Sequence, residues 1–141
     1  MTELQSLTVK KLSDRLRKRE LKATEVAGAY LDAIEQKDPE IGAYLSVSRE
    51  SALGVAKRID MDIEAGRPIG PVAGVPLAVK DNLLIKGQPA TAGSQILKDY
   101  KASYNATAVR KLSEGGAVFL GKANMDEFAM GSSTENSSFK P

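Results

Sequence analysis

The chain contains no cysteine and no histidine. The first absence removes disulfides, zinc–thiolate centres and a cysteine nucleophile. The second removes a Ser-His-Asp triad and any imidazole metal ligand, so no metal site is expected. Acid–base chemistry therefore falls to Lys, Asp, Glu or Tyr. No apolar run approaches the roughly 20 residues of a membrane-spanning helix. The opening Met-Thr-Glu-Leu-Gln has no apolar signal core. A cytoplasmic location is the expectation. The net charge of +2 neither demands nor excludes nucleic acid. The densest basic cluster, Arg15, Arg17, Lys18, Arg19 and Lys22, reads as the solvated face and end of a helix.

Nucleotide and hydrolase motifs are missing as well. Gly70-Pro-Val-Ala-Gly74 leads into a strand where a phosphate loop needs a helix N-terminus, and no Walker Lys-Ser/Thr follows. No serine sits in a Gly-x-Ser-x-Gly elbow, so Ser132, Ser133, Ser137 and Ser138 read as turn serines. Asp126 and Glu127 are adjacent, and neighbours on a helix diverge. They read as favourable charge at a helix N-terminus rather than as a paired-acid site.

What is present is an α/β pattern in 141 residues, long enough for one domain with a real core. Residues 1–68 are mainly helical. Thr8 is expected to cap a first helix with Val9, Leu12 and Leu16 on one face. Thr24 is expected to cap a second, with Ala27, Tyr30, Leu31 and Ile34 inward, ending at Asp38 because Pro39 follows. A short strand over 43–47 precedes a third helix, capped by Ser48 and stopped by Gly66. Residues 69–141 read as a βαβ-like segment. Its strands are 75–79 and 117–120. Its helix, capped by Asn105 and ended by Gly115-Gly116, has Ala108, Val109 and Leu112 inward. Asn124 is expected to cap a short helical turn. Residues 131–141 are polar, aperiodic and turn-rich, in the manner of a loop or tail. Two parallel strands with three helices before them leave exposed edges, the pattern of the front of a larger sheet.

The stretch 70–82, Gly-Pro-Val-Ala-Gly-Val-Pro-Leu-Ala-Val-Lys-Asp-Asn, holds the one unusual feature. Its apolar strand ends on Lys80. Burial lowers a lysine's pKa and makes it a usable base near neutral pH. The alternative is a strand-end lysine that snorkels to water or pairs with Asp81.

Three segments, Gly-Val-Pro-Leu-Ala-Val-Lys-Asp-Asn, Ala-Val-Phe-Leu-Gly-Lys-Ala-Asn-Met-Asp-Glu-Phe and Ala-Met-Gly-Ser-Ser-Thr-Glu-Asn-Ser, stand in this order. Together they resemble the amidase signature family. The last two are closest to its branch of glutamine-hydrolysing subunits in tRNA-dependent amidotransferases. The likeness runs over nearly the whole chain but over only the front of the family's domain. It implies the first strands and helices of the family's mixed-sheet α/β fold, apparently truncated. It also implies catalysis by a serine nucleophile, a second serine in a cis peptide and a lysine. The lysine matches Lys80. The serines are expected beyond Pro141, so the fragment alone is expected to be inactive. The Met130 carbonyl and the backbone of Gly131 and Ser132 are the implied contacts to the bound amide. The implied partners are glutamine, two further subunits (B and C) and, through the complex, Glu-tRNA(Gln). No cofactor is implied in this chain, ATP and Mg2+ being used by a partner subunit. Two other readings remain open: the front of a stand-alone amidase for a small amide, and a fragment that only binds partners.

Overall fold

The computed structural model describes residues 3–140. The outermost residues of the predicted domain, 1, 2 and 141, lie outside them. Helices α1 (Val9–Arg17), α2 (Ala23–Ile41) and α3 (Arg49–Glu64), with strand β1 (Tyr44–Val47) between the last two, make up the first half. Strand β2 (Pro76–Lys80), helix α4 (Thr107–Glu114) and strand β3 (Val118–Ala123) follow. The strands form one mixed sheet in the order β1-β3-β2. β3 pairs antiparallel with β1 and parallel with β2, so the predicted parallel pair is present and the early strand joins the same sheet.

The central strand sorts the core by alternation. Val118 and Leu120 join Leu12, Leu16, Val26, Leu31, Ala56 and Ile59 from the three N-terminal helices. Phe119, on the opposite parity, packs with Val79, Ile85 and Val109. Each fully buried aliphatic side chain of this kind contributes about 1.5–3 kcal/mol. Val9, predicted inward, is exposed, and only Leu12 and Leu16 of that stripe are buried.

Helix ends depart from the sequence reading where a distant residue takes the role of a local one. Thr8 caps α1, accepting from the Lys11 N–H at 3.3 Å. Thr24 does not cap α2, which begins one residue earlier. Asp60 on α3 accepts from the N–H groups of Ala23 (2.6 Å) and Thr24 (3.0 Å) and from the Thr24 hydroxyl (2.7 Å). Pro39 does not stop α2. It sits in the last turn, where it forfeits one backbone bond, and the helix runs on to Ile41. The stop is Gly42, at φ +69°, with the Asp38 carboxylate accepting from the Ala43 N–H at 2.7 Å. Ser48 precedes α3 but makes no side-chain cap bond. Asn105 accepts from the Lys86 N–H at 2.7 Å, leaving Ala106 at the start of α4. In α4 only Val109 is fully buried. Leu112 is half-buried and Ala108 is exposed.

The strands differ too. β3 runs three residues past the predicted end, through Gly121, Lys122 and Ala123. β2 is an outer strand, so Ala78 and Lys80 face solvent while Val79 is buried.

Candidate active site

Parallel strands present their carboxyl ends together, where open α/β sheets place their ligands. Here the carboxyl ends of β2 and β3 bring Lys80 opposite Ala123. The loop that follows β3 contains Met130, Gly131 and Ser132. The lysine and the loop that bears the three proposed pocket residues thus leave the sheet at the same end.

Lys80 is exposed, so the strand does not desolvate it here and the alternative of a strand-end lysine reaching water describes it. The reason is topological: β2 is the outer strand, and its last side chain falls on the open parity. Lys80 does not pair with Asp81 either, because the Asp81 carboxylate turns inward and is committed elsewhere. Asp81 is 1% exposed and Lys122 is 0% exposed. The Lys122 ammonium donates to Asp81 Oδ1 at 3.1 Å, to the Asp81 carbonyl at 3.4 Å and to the Pro89 carbonyl at 3.0 Å. Three protons meet three acceptors. Asp81 Oδ2 accepts from the Thr91 N–H at 2.7 Å and from its hydroxyl at 2.5 Å. The sequence reading missed Lys122. Its place was hidden by the register shift between Leu77 and Ala78, which sets Lys122 opposite the buried Val79 and turns it to that face rather than to the face of Val118.

Residues 124–140 are not a loose tail. Asn124, predicted as a helix cap, instead accepts from the Met125 N–H and the Ser137 hydroxyl and donates to the carbonyls of Gly42 and Lys140. The short 3-10 turn is Glu127–Ala129, with non-helical geometry at Phe128. Asp126 is the hub of the loop. Its carboxylate accepts from the N–H groups of Ser133, Thr134 and Asn136 and from the Asn136 amide, at 3.0–3.2 Å. These bonds, led by the backbone N–H groups of Asn136 and Thr134, hold its pKa below the ordinary 3.8. Gly131 is packed against the same carboxylate. A Cβ there would lie 2.5 Å from Asp126 Cγ. Met130 is 77% exposed, and Ser132 is exposed as well.

A second loop braces this one. The Phe128 N–H donates to the Ala92 carbonyl (2.8 Å) and the Ser138 N–H to the Gly93 carbonyl (2.9 Å). The Ser94 hydroxyl donates to Glu127 at 2.6 Å. So Glu127, like Asp126, serves a loop contact rather than a helix terminus. Among the described residues, five that are not glycine have positive φ. Four of them, Ala92, Phe128, Ala129 and Thr134, lie in these two loops. Such residues cost about 1–3 kcal/mol each and concentrate where a site over-determines its backbone. Among the described residues no cluster of His, Cys, Asp or Glu could hold a metal ion, and no helix is long and apolar enough to cross a membrane.

The geometry has close counterparts. Over 139 residues the chain is 50% identical to the A subunit of glutamyl-tRNA(Gln) amidotransferase from Carboxydothermus hydrogenoformans, covering 99% of this chain and 29% of that protein. The corresponding protein of Salinispora tropica is also 50% identical, over 100% of this chain. The chain thus spans under a third of the curated relatives it matches. Among solved structures, the corresponding amidotransferase protein of Thermotoga maritima superposes with a TM-score of 0.72 at 33% identity, over 100% of this chain and 28% of that one. The peptide amidase of Stenotrophomonas maltophilia gives 0.83 at 33% identity, over 89% of this chain and 26% of its own. The amidase family model matches residues 25–141, and the chain accordingly belongs to the amidase signature family.

Proposed function

We propose that these residues are the front part of one amidase signature domain, in the glutaminase component of a tRNA-dependent amidotransferase. There they supply the catalytic lysine, Lys80, and part of the amide-binding loop, Met130, Gly131 and Ser132. One observation carries the reading. Lys80 ends β2 in register with the end of β3, beside a braced and strained loop, in a chain 50% identical to such proteins.

The residues suit amide hydrolysis. A neutral Lys80 accepts a proton from a bridging serine, which takes one from the nucleophilic serine as that oxygen attacks the glutamine amide carbon. Collapse of the tetrahedral adduct expels ammonia, with the proton returned to nitrogen through the same relay. Water then releases glutamate from the acyl-enzyme. Both serines are supplied by the rest of the domain. The ammonia serves amidation of Glu-tRNA(Gln) in a complex with the B and C subunits. ATP and Mg2+ act in one of those partners, and no step here uses them. The location is cytoplasmic.

Lys80→Ala in the full-length protein tests the assignment. Glutaminase activity is expected to fall by at least about a thousandfold, because the relay loses its base. The variant is expected to unfold cooperatively and to keep the parent's circular-dichroism spectrum, so that the loss is read on folded protein. Full activity in Lys80→Ala would refute the role. A second reading, a stand-alone amidase, is favoured by the superposition on the peptide amidase. Co-purification of two partner subunits with the tagged full-length protein decides against it.

A further inference from the structure

We propose that the buried pair of Asp81 and Lys122, closed by Thr91, is a positioning device that sets Lys80 relative to the amide-binding loop. The inference rests on the lysine role assigned above.

Asp81 is the residue next to Lys80. Its backbone N–H donates to the Ala123 carbonyl at 3.0 Å, and the Lys80 carbonyl accepts from the Leu83 N–H at 2.9 Å. Those bonds hold the backbone that follows Lys80's side chain, and the pairing of Val79 with Lys122 in the strand register fixes the backbone that precedes it. The carboxylate of Asp81 reinforces the side that follows, through Lys122 of the central strand and Thr91 of the 89–94 loop. That loop, through Ala92, Gly93 and Ser94, holds Phe128, Ser138 and Glu127 of the loop bearing Met130 and Gly131. Hydrogen bonds at both ends of the covalent run from Thr91 to Ser94 therefore join the turn after Lys80 to the amide-binding loop.

Stability alone is a poor reason for such a pair. Removing two charges from water costs about as much as their attraction returns, and well-packed apolar replacements are often as stable or more so. What the pair supplies that an apolar contact does not is direction. Three ammonium protons and two carboxylate oxygens each have one geometry that satisfies them. A displacement of about 1 Å at a reacting group can cost about a hundredfold in rate. Lys122 cannot itself replace Lys80 as the base, since all three of its protons are engaged and it is sealed from the open end of the sheet.

The test uses the full-length protein in its complex, with glutamine hydrolysis normalised to folded complex. Thr91→Val removes the hydroxyl, which donates to Asp81 and accepts from the Gly93 N–H at 3.2 Å, and Thr91→Ser keeps it. The double variant Asp81→Leu/Lys122→Met removes the pair without leaving a lone buried charge. Positioning predicts that Thr91→Val lowers kcat at least about tenfold with KM within about twofold. Thr91→Ser should recover to within about threefold of the parent. The double variant should unfold cooperatively yet hydrolyse glutamine at least about a hundredfold more slowly. A purely structural pair would lower the unfolding midpoint and the folded fraction but leave kcat per folded complex unchanged, and that result overturns the proposal. If the double variant does not fold, the contrast between Thr91→Val and Thr91→Ser decides alone. Lys80→Ala run alongside separates the two levels. An active Lys80→Ala ends the lysine assignment. An inactive one beside a fully active Thr91→Val and double variant ends only the positioning role.

Discussion

Asp126 carries more of the candidate site's geometry than any residue the sequence singled out. Its neighbour Gly131 is small because a carboxylate occupies the space a Cβ would take. Gly131→Ala should push Asp126 off the N–H groups of Ser133, Thr134 and Asn136. It should lower the unfolding midpoint by several degrees, as seen by circular dichroism, with faster amide exchange at those three positions. The same contacts give a pH dependence of definite sign. Asp126 has a lower pKa folded than unfolded. Its contribution is complete above the ordinary value of 3.8 and disappears as pH falls through the depressed folded value, so the window lies below pH 3.8. Amide exchange at 133, 134 and 136, taken relative to the intrinsic rate at each pH, should accelerate through that window. In Asp126→Asn the acceleration should already be present at pH 6 and change little on acidification. A parent protein whose exchange in this turn is flat down to pH 2 would disprove the linkage.

At the scale of elements, the caps separate what local sequence encodes from what it does not. Asp60 reaches from α3 to the first N–H groups of α2, a contact 36 or 37 residues away in sequence. Ser48 precedes α3 and bonds nothing with its side chain. Asp60→Ala should therefore cost about 1–2 kcal/mol in urea unfolding. Ser48→Ala should cost about 0.5 kcal/mol or less. Equal effects would mean that Asp60 is no cap. The helices were legible because apolar spacing along α1, α2 and α3 is a short-range signal. The parallel pairing of β2 and β3 was legible because a helix intervenes. The longer β3 was not, since Gly121 and Lys122 look like a strand stop until Asp81 supplies a counter-charge from 41 residues away. For the same reason Lys80 was found by position while its exposure stayed open between burial and water. Apolar composition marks 75–79 as a strand, but only the strand order tells which parity is covered.

At the scale of the molecule, two lysines stand at opposite extremes. Lys122 is sealed in the sheet with every proton bonded, and Lys80 stands free at an outer strand. Catalysis as proposed needs the second to be desolvated, and this chain covers 29% of its relatives' length. Desolvation is then a property of the whole domain, acquired when further structure covers the open end of β2. Lysine labelling with an acylating reagent, read by mass spectrometry under native conditions, measures this directly. In the 141-residue chain Lys80 should react as fast as the exposed Lys57 and Lys86, and Lys122 should remain unlabelled. In the full-length protein Lys122 should be unchanged, while Lys80 should slow by at least about tenfold relative to the same two references, as burial removes reagent access. If Lys80 labels equally fast in both, the domain does not cover it. The route by which this lysine becomes a base at neutral pH would then have to be something other than burial.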